Sequence, residues 1–203
     1  MAKIALIGAS GNAGSRILAE LSARGHQVTA IARHPERIAP LEGVTPTTGD
    51  AGDRHALATL LAGHEAVISA VHFVASDVET LVGAVRDAGV RRYLVVGGAG
   101  SLEVAPGQRL IDQPDFPEAY RAEAARGAEF LERLRAVTDL DWTFLSPSAE
   151  FVPGERTGRF RLGQDTLLTY SEGSRISFED YAIALVDELE SPRHVRQRFT
   201  VGY

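Results

Sequence analysis

The feature that most constrains this chain is an apolar, strand-like run that stops at three evenly spaced glycines and continues directly as a helical pattern. The run Lys3–Ile7 is followed by Gly8, Gly11 and Gly14, and then by apolar residues at helical spacing. In such a turn, glycines let the chain leave the strand sharply, let an anion approach the backbone, and let the helix pack against the sheet. Unpaired N–H groups at the start of a helix attract phosphate. We therefore predict a pyrophosphate site formed by Gly8, Ser10, Gly11, Asn12, Ala13 and Gly14.

Further apolar runs alternate with helical patterns along the chain, which is typical of a doubly wound α/β fold. We expect a Rossmann-type, mostly parallel sheet with helices on both faces, formed by one domain over residues 1–203. Residues about 147–178 are expected to form a small C-terminal excursion on the substrate side. Within it, 159–162 and 166–169 resemble the two arms of a hairpin. Residues 103–117, which contain three prolines, are expected to be irregular.

Composition excludes several classes of function. The 203 residues contain no cysteine, so disulfides, thiolate catalysis and cysteine-based zinc sites are excluded. The six histidines show no paired metal-ligand spacing, and no metal site is predicted. A formal charge of −6 with dispersed basic residues argues against general nucleic-acid binding. No apolar run is long enough to span a bilayer, so a cytoplasmic protein without a membrane partner is expected.

The residues after the second predicted strand, Gln27–Ala32, indicate which cofactor the phosphate site would hold. A free ribose 2′-hydroxyl usually meets an acidic side chain there, whereas a 2′-phosphate requires positive charge. The strand is followed by Arg33 and Arg37 with no acid at its end. NADP(H) is therefore favoured over NAD(H), with Arg33 as the main contact to the phosphate. Asp50, after the third strand, could accept a hydrogen bond from the adenine amino group.

Other candidate residues follow the central strands, at the edge of the sheet where such folds bind ligands. Ser101 is the candidate polar group near the nicotinamide, and the alternative is that it caps a turn. His72 could touch a substrate or be an ordinary loop residue. The residues expected to line the cofactor site here are Ala70, Val71, His72, Gly98 and Pro147.

Three stretches resemble the atypical short-chain dehydrogenase/reductase superfamily, in its NmrA-like and biliverdin-reductase-B-like branch: Gly8–Gly14, Arg33–Pro35 and Asp141–Pro147. The run Pro153–Gly163 is similar to the group labelled NADH-flavin reductases. The resemblance covers essentially the whole chain and implies an NAD(P)-binding fold with a flavin or related acceptor. Arg33 favours NADPH, whereas the name of that group refers to NADH.

The resemblance also identifies a catalytic candidate, Tyr120, and a departure from the superfamily. Typical members carry Tyr-x-x-x-Lys on the helix before the sixth strand, where the lysine lowers the pKa of the phenol. Here Ala124 occupies the lysine position, and Lys3 is the only lysine in the chain. Tyr120 is therefore either a packing or pocket-lining residue or a weak acid, and alcohol–ketone chemistry by the tyrosine mechanism is disfavoured.

Flavins and quinones are already electrophilic and place smaller demands on a protein acid. The sequence thus predicts an NADPH-dependent reductase of a flavin, quinone or similar conjugated acceptor. The alternative is a non-catalytic NADP-sensing regulator of the NmrA-like kind. A sugar-nucleotide epimerase or dehydratase is a third, weaker possibility, because the short chain leaves little room for a substrate domain.

Overall fold

Strands and helices alternate along the chain in the computed structural model, which describes residues 1–203. The helices are α1 (Asn12–Ala23), α2 (Arg54–Leu61), α3 (Val78–Asp87), α4 (Glu118–Arg135) and α5 (Phe178–Glu190). The strands of the first half are β1 (Lys3–Ile7), β2 (Gln27–Ala32), β3 (Val44–Thr48), β4 (Ala66–Ser69), β5 (Arg92–Val96), β6 (Glu103–Ala105) and β7 (Gln108–Arg109). Those of the second half are β8 (Asp141–Pro147), β9 (Glu150–Val152), β10 (Arg161–Gly163), β11 (Arg175–Ser177) and β12 (Gln197–Gly202).

Eight of these strands form one sheet in the order β10-β12-β8-β5-β4-β1-β2-β3. Every neighbouring pair in it is parallel except β10 and β12. The strand order reverses between β1 and β4, which is where ligands bind in doubly wound folds. Pro46 lies in the edge strand β3, so its missing N–H interrupts no hydrogen bonding between central strands. The predicted Rossmann-type fold is confirmed.

Two apolar layers bury the two faces of the sheet. One face packs against α2, α3 and α4, around Tyr93, Trp142 and Phe144. The other packs against α1 and α5, around Tyr181 and Phe199. Because the inner strands are covered on both faces, their sequences are continuous apolar runs rather than alternating ones.

Side-chain oxygens cap the starts of α2 and α5. The Asp53 carboxylate accepts the Ala56 N–H at 3.0 Å, and the Ser177 hydroxyl accepts the Asp180 N–H at 3.0 Å. No helix is long and apolar enough to cross a membrane.

Two predicted local structures are wrong. Residues 103–117 are not irregular throughout, because β6 and β7 form a short antiparallel hairpin followed by a 3-10 turn at 110–112. The predicted hairpin between 159–162 and 166–169 is absent, because β10 pairs instead with β12 and forms the edge of the main sheet. Residues 159–162 alternate as a strand does, but the partner β12 lies far along the chain and left no local signal in the sequence.

Candidate cofactor-binding site

The glycine loop between β1 and α1 is shaped by contacts that leave no room for side chains. Gly8 has a φ of +84° and donates its N–H to the Ile31 carbonyl at 2.9 Å. A Cβ at Gly14 would overlap the Gly8 carbonyl oxygen and lie 3.0 Å from its carbonyl carbon. A Cβ at Gly11 would lie 3.3 Å from the same oxygen. Gly8 and Gly14 thus have the predicted turn and close-packing roles.

The start of α1 presents backbone donors that nothing in the protein satisfies. The Gly11 N–H donates to the Gly8 carbonyl and the Ser15 N–H to the Gly11 carbonyl, whereas the N–H groups of four residues have no protein acceptor: Ser10, Asn12, Ala13 and Gly14. No acidic residue lies in the first helical turn. Ser10, Gly11 and Asn12 are exposed to solvent, so this cradle can accept an anion.

The charged residues beyond β2 are available to a ligand. Arg33 and Arg37 are exposed and make no side-chain hydrogen bond or ion pair, whereas their neighbours His34 and Glu36 pair with each other at 3.2 Å. Most other arginines in the chain contact a carboxylate. Asp50 is exposed, and one of its carboxylate oxygens accepts the Gly52 N–H at 2.8 Å.

The segment that leaves β4 lies directly against the glycine loop. The Ala70 carbonyl occupies the position that a Gly8 side chain would need, and the Val71 side chain lies 3.0 Å from it. Below this segment, Ser69 and the buried Tyr93 phenol share a hydrogen bond of 2.9 Å. Burial raises the pKa of Tyr93, which keeps the phenol neutral.

His72 follows this segment and is anchored to α4. Its imidazole is 84% exposed, and its Nδ1 lies 3.3 Å from Glu123 Oε1. The Glu123 carboxylate also accepts the N–H groups of Phe73 at 2.8 Å and Val74 at 3.0 Å. The sequence did not predict a role for Glu123, because its partners Phe73 and Val74 lie about fifty residues earlier in the chain.

The two catalytic candidates have different surroundings and share no contact. Tyr120 is 67% exposed and makes no side-chain hydrogen bond, so a packing role for it is wrong. The Ser101 hydroxyl accepts a hydrogen bond from Arg198 at 3.2 Å rather than capping a turn. It lines a cavity of about 680 Å³ together with Glu129 and Arg135, on another side of α4 from the residues that contact 73–74.

The last two predicted cofactor residues lie deeper. Gly98, just beyond β5, is partly exposed. Pro147 is buried within β8, where it pairs in register with Val201 of β12.

The segment 153–160 lies along the start of α5 and reaches the last turn of α1 at Glu20. Asp180 is fully buried, and its carboxylate accepts the N–H groups of Thr157 and Gly158, each at 2.8 Å. Arg156 makes a bidentate ion pair with Glu20 of α1, both distances being 2.9 Å. Burial tends to raise the pKa of the Glu20 carboxyl, but hydrogen bonds from Arg156 and Arg24 outweigh it and lower that pKa. We call residues 153–160 the strap.

Comparison with known proteins identifies the family. The model of the NAD(P)H-binding family matches residues 8–192. The Bacillus subtilis (strain 168) protein YwnB, described as uncharacterised, is 41% identical over 210 residues, covering 98% of this chain and 97% of that protein.

Two solved structures are also similar along the whole chain. A "putative epimerase" from Bacteroides thetaiotaomicron is 44% identical with a TM-score of 0.94, covering 100% of this chain and 97% of that one. A "putative NADH-flavin reductase" from Streptococcus pneumoniae TIGR4 is 38% identical with a TM-score of 0.82, covering 100% and 99% of the two chains. The free N–H groups of the cradle are what a pyrophosphate needs, and the chain belongs to the NAD(P)H-binding family.

Proposed function

We propose that this chain is an NADPH-dependent reductase of a flavin, quinone or similar conjugated acceptor. Membership of the NAD(P)H-binding family supplies the cofactor class. The cradle residues Gly8 and Gly14 would hold the pyrophosphate, and Arg33 would contact the 2′-phosphate. The bound cofactor would supply a hydride, and the protein would orient the acceptor and exclude water around it.

The observation that carries the choice of NADPH is Arg33. It is exposed immediately after β2 and has no side-chain partner, while the nearest carboxylate in sequence, Glu36, pairs with His34. An unpaired guanidinium can form a bidentate contact with a phosphate without first breaking an ion pair. A ribose 2′-hydroxyl would find no acidic partner here.

The choice of a conjugated acceptor is supported by the surroundings of Glu123. Val74 and Tyr120 are 58% and 67% exposed and belong to the small set of exposed large apolar side chains in the chain. Val74 is bonded through its N–H to Glu123, and Tyr120 lies one turn before Glu123 on α4. Exposed apolar groups beside a candidate cofactor site suit a flat, weakly polar acceptor. The name of the similar Streptococcus pneumoniae protein agrees with a flavin.

The test combines binding and turnover. NADPH and NADH dissociation constants are measured for the wild type, for Arg33→Ala, and for Arg193→Ala as a control. Arg193 is another exposed arginine without a side-chain partner, and it lies before β12, on the far side of the sheet from β2. Losing a charge-assisted phosphate contact should raise the NADPH dissociation constant of Arg33→Ala by about tenfold or more, which is roughly 1.4 kcal/mol. The NADH constant of that variant, and both constants of Arg193→Ala, should stay within about twofold.

Turnover is followed anaerobically as loss of reduced-nicotinamide absorbance with FMN, riboflavin and menadione as acceptors. Protein-dependent oxidation that prefers NADPH supports the reductase. Tight NADPH binding with no oxidation of NADPH by any of these acceptors contradicts it and favours the NADP-sensing regulator. Equal losses of NADPH and NADH affinity in Arg33→Ala contradict the 2′-phosphate contact.

A further inference from the structure

The segment after β4 is fixed to α4 by one carboxylate. Glu123 accepts the Phe73 N–H at 2.8 Å through one oxygen and the Val74 N–H at 3.0 Å through the other. The same helix packs on the Phe73 ring at Gly127, where an added Cβ would lie 2.9 Å from the ring. The turn 73–75 is therefore held by both a polar and an apolar contact, and the residue before it has a defined position.

That residue is His72. Its Nδ1 lies 3.3 Å from the same Glu123 carboxylate, while its Nε2 has no protein partner. When a carboxylate accepts the hydrogen of one imidazole nitrogen, it orients the ring and leaves the other nitrogen to exchange protons with a ligand. Glu123 is the acidic side chain within 4 Å of this imidazole, and the exposed phenol of Tyr120 lies one turn earlier on α4.

The position of His72 relative to the cradle indicates a chemical role for the pair of His72 and Glu123. Ala70, two residues earlier, packs against Gly8, so His72 emerges at the same edge of the sheet as the cradle. An imidazole can donate a proton near neutral pH without a neighbouring cation. Tyr120, with alanine in the lysine position, lacks the group that would make its phenol a comparable donor.

We propose that His72 is the proton donor to the reduced acceptor and that Glu123 is its positioning residue. The inference rests on the proposed reductase function. With a quinone as acceptor, the hydride from bound NADPH brings two electrons and one hydrogen to the quinone. His72 Nε2–H supplies a proton to a quinone oxygen, which gives the hydroquinone and NADP⁺. The imidazole regains its proton from water, so the balance is one NADPH, one proton and one quinone consumed.

The kinetic experiment uses menadione as acceptor and measures kcat and KM anaerobically between pH 5.5 and 9. The variants are His72→Asn and Glu123→Gln, and His55→Asn is the matched control. His55 is an exposed histidine on α2 whose side chain makes no hydrogen bond. His72→Asn should lower kcat by at least about tenfold, a modest share of the usual effect of a general acid. It should leave the NADPH dissociation constant within about twofold.

The pH profile separates a proton donor from a structural residue. The wild-type kcat should fall as pH rises across the measured interval, because deprotonation of the imidazole removes the proton donor. This fall should be absent in His72→Asn, unchanged in His55→Asn, and still present in Glu123→Gln at a lower kcat. Urea unfolding of each variant shows whether the protein is folded.

A readout that needs no turnover is the NMR signal of the His72 imidazole. Adding NADP⁺ should shift this signal and leave that of His55 unchanged. A His72 signal that does not respond to saturating NADP⁺ overturns the inference. The inference is also overturned if His72→Asn turns over within about twofold of the wild-type rate and with the same pH profile. Absence of wild-type turnover with every acceptor overturns the proposed function, and the inference falls with it.

Discussion

Replacing Gly14 by alanine tests the cradle most directly, because helix propensity and packing predict opposite results. In an ordinary helix interior, alanine is more favourable than glycine by about 1 kcal/mol. At Gly14 the added Cβ would overlap the Gly8 carbonyl oxygen and lie 3.3 Å from Ala9 Cα. These are backbone atoms fixed by the hydrogen bonds from Gly8 to Ile31 at 2.9 Å and from Gly11 to Gly8 at 3.1 Å. They cannot rotate away as a side chain can.

The overlap should therefore outweigh the gain in propensity. Overpacking of this kind costs about 1 to 3 kcal/mol, so after the propensity gain of about 1 kcal/mol Gly14→Ala should lower the free energy of unfolding by up to about 2 kcal/mol. Displacing the loop also misaligns the free N–H groups of the cradle. Losing one charge-assisted hydrogen bond to the pyrophosphate should raise the NADPH dissociation constant by about tenfold or more.

Gly83, in α3, provides the matched control. Its added Cβ would meet only the guanidinium end of Arg54, at 2.6 Å, and that side chain is 53% exposed and flexible. The exposed ion pair of Arg54 with Asp87 contributes little to stability, and the gain in helix propensity offsets its loss. The free energy of unfolding of Gly83→Ala should be within about 0.5 kcal/mol of the wild-type value, and its affinity for NADPH should be unchanged. The measurements are urea unfolding of the free protein and calorimetric titration with NADPH. A Gly14→Ala protein as stable as the wild type, with unchanged affinity, would refute the reasoning.

Two further predictions concern the strap. Asp180→Ala leaves the N–H groups of Thr157 and Gly158 without their buried acceptor, so it should lower the free energy of unfolding by about 2 to 4 kcal/mol and speed tryptic cleavage after Arg156. Asp187→Ala, which removes a 55% exposed partner of Arg24, should change stability by less than about 1 kcal/mol; equal effects in urea unfolding would contradict this prediction. Because the pKa of Glu20 is lowered in the folded protein, its charged form stabilises the fold above the ordinary value of about 4.3, and this stability is lost as pH falls through the lowered pKa. The stability difference between the wild type and Glu20→Gln should therefore shrink between pH 7 and pH 3, and a difference independent of pH in urea unfolding would contradict it.

The parts of the fold that the sequence predicts are those specified by neighbouring residues. The cradle could be predicted because Gly8, Gly11 and Gly14 each have a local geometric reason, and the buried strands because both of their faces are apolar. The caps at Asp53 and Ser177 are likewise formed within one helical turn. The pairing of β10 with β12 could not be predicted, because the partner strand lies more than thirty residues away and nothing in the alternation identifies it.

The candidate site shows the same difference between features set by neighbouring residues and features set by distant ones. The prediction for Arg33 uses only local sequence, because the strand before it is clear and its charge alone carries the argument. Glu123 could not, because its role depends on α4 lying beside the turn 73–75, a contact between segments about fifty residues apart. The hydrogen bond from Arg198 to Ser101 is equally nonlocal and holds that hydroxyl at the wall of the cavity of about 680 Å³, where a ligand would have to compete with a guanidinium for it.

The distribution of paired and unpaired charges explains how a chain with a formal charge of −6 can suit a strongly anionic cofactor. Charges separated by more than about 8 Å are largely screened at physiological ionic strength, so the residues within that distance decide binding. Several carboxylates are occupied by structural bonds: Glu20 by Arg24 and Arg156, and Asp180 by the strap. Near the end of β2, by contrast, Glu36 pairs with His34, and Arg33 keeps its charge free. The net charge is therefore a poor guide to binding of this cofactor, whereas the absence of an ion-pair partner at Arg33 is a much better one.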